Sequence, residues 1–376
     1  MSTATAPQEA RPTGPRRSRN PFSRVPDAWA GAPGWVRWAA YALVVVFALV
    51  LPSGGIGKIM APDSYWPAVL FYPIGVYVLM ALGLNVVVGY AGLLDLGYVA
   101  FFAIGAYTMA VLGTKYGFGF WVALPVGIVL SVIAGLLLGA PTLRLRGDYL
   151  AIVTLGFGEI IRVTANNTGY VGGPRGISGI PNPPSIGSWS FNAIDPKYFY
   201  YLVVLLLVLV VLIKKRLEKS RVGRAWAAIR EDEDAAELMG VPTLRFKLAA
   251  FATGAAIAGT GGVLFAAESG AITPLNFPFQ LSALILAAVV LGGAGNIPGV
   301  VLGAFVVAWL PERFRNFDEF RTLIFGGALV LIMVFRPEGL LPSRRRRAEL
   351  TEGTGGMGSL GGEVGSAATQ RVEAAS

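Results

Sequence analysis

Residues 280–310 read QLSALILAAVVLGGAGNIPGVVLGAFVVAWL, 31 residues without a charged side chain. As one helix rising 1.5 Å per residue the stretch is about 46 Å long, well beyond the roughly 30 Å of a bilayer core. It is interrupted at its centre by Gly292-Gly293-Ala294-Gly295-Asn296 and by Pro298, residue types that end helices. The reading is two short apolar helices that fold back at the break.

On both sides of this stretch the same material recurs. Apolar segments lie near 35–52, 67–89, 94–113, 120–140, 149–164, 198–213, 246–267 and 321–335. Most are about 16–22 residues, the length that crosses a bilayer. With the two pieces of 280–310 the fold class is all-α: a polytopic integral membrane protein of about 9–10 transmembrane or half-membrane helices. Composition agrees. Charged residues are 14% of the chain, against about 25% in soluble domains, and mean hydropathy is +0.61. The 49 glycines suit helices that pack closely inside a membrane.

Absences bound the chemistry. The chain has no Cys and no His, which removes thiol chemistry, disulfides, serine–histidine catalysis and the usual metal ligand. No G-x-x-x-x-G-K-[ST] run is present, so no phosphate loop is expected in this chain. The expectation is a non-enzyme with no metal and no cofactor of its own. The net charge of +9 sits mainly at membrane flanks, which favours an orientation signal over nucleic acid as its meaning.

Three regions follow. Residues 1–34, rich in Pro, Ala, Gly and Arg, read as a disordered cytoplasmic tail, and 343–376, opening on Arg344 to Arg347, as a second. That Arg run serves either orientation or anionic headgroups. Between them, 35–342 forms the transmembrane domain, with a polar loop at 214–247. Starting inside, alternating, and folding back at 280–310 places 23 Lys/Arg on the inner side and 8 on the outer. This is the positive-inside bias of a multi-pass membrane protein with both termini cytoplasmic. A single tilted crossing at 280–310 would put the Arg run outside. A weak internal echo joins Gly89-Tyr90-Ala91-Gly92 to Gly292-Gly293-Ala294-Gly295, as expected of two related halves or of chance in a Gly-rich chain.

Residues 214–247, KKRLEKSRVGRAWAAIREDEDAAELMGVPTLRFK, are the sizeable polar segment between spans. Asp232 is an N-cap candidate, and Glu233 and Asp234 fill a first turn where carboxylates favour the helix dipole. Ala235, Ala236 and Met239 share one face; Gly240 and Pro242 stop the helix. Ala225, Ala228 and Ile229 make a matching face on an earlier short helix. Two amphipathic helices thin enough to enter a partner's groove, or an ordinary solvated loop, both fit these residues.

Polar residues within spans are the other candidates, since charge at membrane depth is costly and faces a partner or a cavity. Glu159 and Arg162, three apart on one helix, form an ion pair or line a pathway. Asp95 caps a helix beside a Gly-rich turn or lines the pathway. Asn85 makes an interhelical hydrogen bond or lines the pathway. Glu268 reads as solvated. Gly172, Gly173 and Arg175, in an outer loop, either form a turn or offer amides and a cation to an acidic group.

Several stretches resemble one family. Gly223-Arg224-Ala225, then Glu231-Asp232 with Ala235-Ala236 and Gly240, is similar to the coupling (EAA) loop of ABC-transporter permeases. LRLRGDYLAIVTLGFGEIIRVTANN (143–167), GYVGGPRGI (169–177), FRPEGLLP (335–342) and GLNVVVGYAGLLDLGYVAFFAIGAY (83–107) resemble the LivM-type permease subunit of branched-chain amino acid ABC importers, over about 67–342. Relatives often carry Ser and His where this chain has Asp95 and Tyr98. The resemblance implies an importer of the bacterial inner (plasma) membrane with divided labour. A second homologous permease completes the pathway, and two cytoplasmic ATP-binding subunits dock on the loop. An extracytoplasmic binding protein delivers substrate, and no nucleic acid takes part. ATP is then used by the partners, and alternating access moves the substrate. Permeases for urea or short amides resemble the same family, and an ion-coupled secondary amino acid transporter is the rival outside it.

Overall fold

In the computed structural model the chain divides into two units, Met1–Val50 and Leu51–Ser376. The residues described are 46–52, 65–143, 148–185, 191, 196–313, 326–327, 330 and 339–341. Both tails, the Arg344 to Arg347 run and nearly all of 321–335 lie outside them. In the first unit, 46–50 are helical, with Val46, Phe47, Leu49 and Val50 exposed.

The second unit is built on helix α1, Trp66–Tyr90, which bends at Tyr72–Pro73. It is apolar all round and buried nearly all round, with Leu79 to Leu82 fully enclosed, as a central helix must be. Then come α2 (Val99–Lys115), α3 (Phe120–Thr142), α4 (Asp148–Asn167) and α5 (Lys197–Glu218). Two short helices follow, α6 (Arg221–Glu231) and α7 (Glu233–Leu238). The series continues with α8 (Thr243–Ser269), α9 (Phe279–Gly292) and α10 (Ile297–Arg313). Among the described residues five helical stretches are long and apolar enough to cross a membrane: α1, α3, α5, α8 and Pro274–Gly292. α3 leaves Val129, Ile133 and Leu137 exposed along one side, a surface that suits lipid.

Small residues let α2, α3 and α8 meet backbone to backbone. A Cβ on Gly105 would stand 2.7 Å from Gly259 Cα, and one on Gly135 would stand 2.9 Å from Ala255 Cβ. This is the packing expected where no hydrophobic force acts between helices. The expected fold-back is a helical hairpin: Gly292 packs on Gly299 and Val300, and Gly303 on Ala288 and Gly292, so α9 and α10 run antiparallel about the break. The two echoed glycine segments also meet, since a Cβ on Gly89 would lie 2.5 Å from Gly295 N.

The expected helix 94–113 starts late. Residues 91–98 are non-helical, and their amides find other partners. Leu93 N–H bonds Val87 O (3.0 Å), Leu96 N–H bonds Thr154 Oγ1 (3.0 Å), and Gly97 N–H bonds Asp95 Oδ1 (3.0 Å). Val99 N–H bonds Ser282 Oγ of α9 (2.9 Å). Irregular backbone inside a membrane protein requires such substitutes. A short pair, β1 (Ile177–Ser178) antiparallel to β2 (Ala271–Ile272), clips the segment after α4 to the α8–α9 link. α6 and α7 lie at the opposite end of α8.

A candidate coupling site at one end of the bundle

The chain leaves α5 and turns at once. Ser220 Oγ accepts from Val222 N–H (3.1 Å) and Gly223 N–H (3.4 Å), starting α6 directly behind α5. Only glycine fits at 223, because a Cβ there would stand 2.5 Å from Glu218 O. Arg224 is exposed and reaches back to Lys219 O (3.3 Å). The inner face of α6 is Ala225, Trp226 and Ile229, all buried. Trp226 Nε1–H donates to Phe246 O of α8 (2.7 Å), and its ring stacks on Tyr90 at the end of α1 (6.4 Å, 18°). Arg230 donates through Nη1 to Gly89 O of α1. α6 is therefore fastened to both α1 and α8.

At α7 the expected cap is present: Asp232 Oδ1 accepts from Ala235 N–H (3.0 Å), with Glu233 and Asp234 in the first turn. Gly240 ends the helix at φ +84°, a conformation that favours glycine. The expected single face of Ala235, Ala236 and Met239 is divided. Ala236 is buried against the chain itself, Ala235 is exposed, and Leu238 and Met239 are 88% and 85% exposed. The helix is six residues long, so its alanines spread over both sides, and the docked side takes Ala236. Glu233 forms an ion pair with Lys247 of α8, whose ammonium also lies 3.5 Å from Leu143 O. Glu231 and Asp232 are exposed.

Lys214, near the end of α5, is fully buried. Its ammonium donates to Leu82 O of α1 (2.6 Å) and sits 5.1 Å from the Tyr90 ring centre. Tyr90 thus lies between a cation and the Trp226 indole, joining α5, α1 and α6.

The span candidates are held as follows. Asn85 Oδ1 accepts from Gly295 N–H (2.8 Å), pinning the α9–α10 turn to α1. Asp95 is fully buried and its Oδ1 accepts from Gly97 N–H within the irregular segment; it does not cap α2, whose N-cap residue Tyr98 is without a side-chain cap bond. Among the described residues, four buried side-chain atoms lack a hydrogen-bond partner: Asn85 Nδ2, Tyr90 Oη, Asp95 Oδ2 and Tyr107 Oη. All four lie on α1, the irregular segment or α2. Glu159 and Arg162 do pair, at 2.8 Å and partly exposed.

At the far end the glycine loop spends its amides on itself. Gly172 N–H bonds Gly169 O, Gly173 N–H bonds Thr168 O, and Gly176 N–H bonds Gly173 O, each at 3.1 Å. These amides are not available to an acidic group, while Arg175 is exposed. Glu268 is half-buried rather than solvated. Nearby, Tyr116 Oη lies 2.9 Å from Tyr170 Oη, and that hydrogen bond pushes the Tyr170 phenol above its ordinary value.

The family model described as "Branched-chain amino acid transport system / permease component" matches residues 68–334. The chain belongs to this family. It is 48% identical over 299 residues to the high-affinity branched-chain amino acid transport system permease protein LivM of Salmonella typhimurium, and equally to that of Escherichia coli. Each match covers 74% of this chain and 70% of the relative. It is 33% identical over 124 residues to the permease protein LivH of Escherichia coli, covering 32% of this chain and 40% of LivH. No solved structure matches.

The permease is a multi-pass membrane protein, and its α6–α7 segment is a docked module rather than a loose loop. The sequence marks Gly223, Ala225, Ile229, Asp232, Glu233, Ala236 and Gly240, but not Ser220, Trp226, Arg230 and Lys247, which complete the fastening of the module. Ser220 carried a signal, a Ser directly before a helical run. So did Trp226, a large apolar ring within a charged stretch. The partners of Lys214, Arg230 and Lys247 are backbone carbonyls or distant in sequence, and no spacing rule reaches them.

Proposed function

We propose that this chain is the membrane-spanning permease subunit of an ATP-driven ABC importer for branched-chain amino acids. It works by alternating access, and ATP is bound and hydrolysed on partner subunits. One observation carries the reading. The α6–α7 module is fastened to α1 through Arg230 and to α8 through Trp226 and Lys247, yet it turns Leu238 and Met239 fully outward. A rigid mount under two bare apolar side chains suits a docking surface whose displacement reaches the spans. Arg224, Glu231, Asp232, Ala235 and Gly240 are exposed around that surface, while Gly223, Ala225 and Ala236 pack inward and fix the two helices beneath it.

In this reading the α6–α7 end faces the cytoplasm with both termini, and two ATP-binding subunits seat there. A second, homologous permease completes the pathway, a reading supported by the likeness of this chain to both LivM and LivH. Asn85, on α1, and Asp95, on the irregular segment between α1 and α2, each carry a buried atom without a partner, and in this reading they line the pathway. Arg175 and the clipped loop face the protein that delivers substrate. The substrate class follows the names of the relatives.

The test is reconstitution in vesicles with the companion permease, the ATP-binding subunits and the binding protein. ATP-dependent accumulation of radiolabelled leucine supports the reading. Accumulation of urea but not leucine would move the substrate class, and accumulation driven by an ion gradient without ATP would overturn the mechanism.

A further inference from the structure

We infer that Lys247 and Glu233 are positioning residues whose ion pair transmits displacement of α7 to α8, an inference that rests on α6–α7 being the ATPase dock. Lys247 is the fifth residue of α8, and its side chain is 2% exposed; Glu233, in the first turn of α7, is 24% exposed. Besides Glu233, the ammonium meets Leu143 O at the end of α3, at 3.5 Å. Among the described residues Glu233 is its one carboxylate partner.

The two short helices are thus fastened in different ways. α6 is tied through backbone carbonyls, Phe246 O and Gly89 O. α7 is tied by charge. A buried ammonium that loses its carboxylate is strongly unfavourable, so α7 cannot swing away alone. The first turn of α8 must follow it, or the pair must break. α8 is a rod running the length of the bundle, and its Gly259 and Gly262 lie on the backbone of α2. A close-packed interface of that kind shifts as a body and does not absorb the movement locally. The pair therefore sits where a push on the dock becomes a movement of three spans. Leu238 and Met239, which would meet the partner, are on the exposed side and take no part in it.

The experiment uses the whole complex in vesicles with radiolabelled leucine. It compares Glu233→Gln, Lys247→Gln, the two combined, and Lys247→Arg. Leucine uptake per ATP hydrolysed is read beside retention of the ATP-binding subunits and the KM for leucine. Each Gln variant should keep its ATP-binding subunits and KM while uptake per ATP falls about fivefold or more, the lower end of ordinary coupling between two sites. The double variant should be no worse than Lys247→Gln, because the second change removes a partner already lost. Lys247→Arg, which keeps the charge, should retain most of the stoichiometry. Glu233→Gln changes a partly exposed residue, so it remains informative if Lys247→Gln folds badly. Uptake per ATP within about twofold of wild type in Glu233→Gln, or losses that add in the double variant, would overturn the inference. Shedding of the ATP-binding subunits would also overturn it, since the pair would then serve docking. A wild-type complex that accumulates leucine with no ATP-binding subunits retained would instead sink the proposed function, a result visible without any variant.

Discussion

Leu238→Ala isolates docking from folding. The side chain is 88% exposed, so its truncation should alter the permease's own stability by under about 0.5 kcal/mol. The change removes three carbons. At about 0.8 kcal/mol per buried CH₂, full enclosure in a partner's groove makes the loss about 2.4 kcal/mol, or about 60-fold in the dissociation constant. Half enclosure makes it about 1.2 kcal/mol, or about eightfold. The assay is titration of purified ATP-binding subunits onto the permease in lipid nanodiscs, with thermal unfolding of the permease alone beside it. Weakened binding with an unmoved melting curve is the expected pair of results. Binding within about twofold of wild type would show that Leu238 does not enter the partner, and a matching drop in melting temperature would show that it serves the fold instead.

Three further outcomes are expected. Gly105→Ala should lower membrane abundance sharply, because the new Cβ meets the Gly259 backbone; Gly156→Ala, with nothing within 4 Å, should leave abundance unchanged, as quantitative blotting of membranes would show. Asp232→Ala should cost about 0.5–2 kcal/mol of α7 stability by losing the bond to Ala235 N–H, seen as faster amide hydrogen exchange over 233–239, and Asp232→Asn should restore most of it. In intact cells a Cys at Ser185 should react with an impermeant thiol reagent and a Cys at Glu231 should not; the native chain has no Cys to confuse the result.

Apolar length and glycine placement made most of the helix order readable. The hairpin at 280–310 was legible because 31 uncharged residues exceed one crossing and Gly292, Gly293 and Pro298 mark the fold. The late start of α2 was not legible. Leu93, Leu94 and Leu96 continue the apolar pattern, and the partners of this backbone come from elsewhere in the chain, Thr154 for Leu96 N–H and Ser282 for Val99 N–H at the start of α2. In the site, local rules served local features: the Asp232 cap and the Gly240 exit depend on neighbours a few residues away. Which side of α7 is bare is a tertiary matter, decided by packing that buries Ala236. The same holds for Glu233 with Lys247, separated by a helix end and a turn.

The most direct test of the dock is a single Cys at Met239, 85% exposed, in the otherwise Cys-free permease, with a second variant carrying Cys at Leu275, 79% exposed at the opposite end. Each is assembled into the complex and treated with a short thiol-to-amine cross-linker. The Met239→Cys variant should yield a covalent adduct with an ATP-binding subunit, and the Leu275→Cys variant should not. No adduct from position 239 in a complex that still transports, or an adduct from position 275 in its place, would contradict the account.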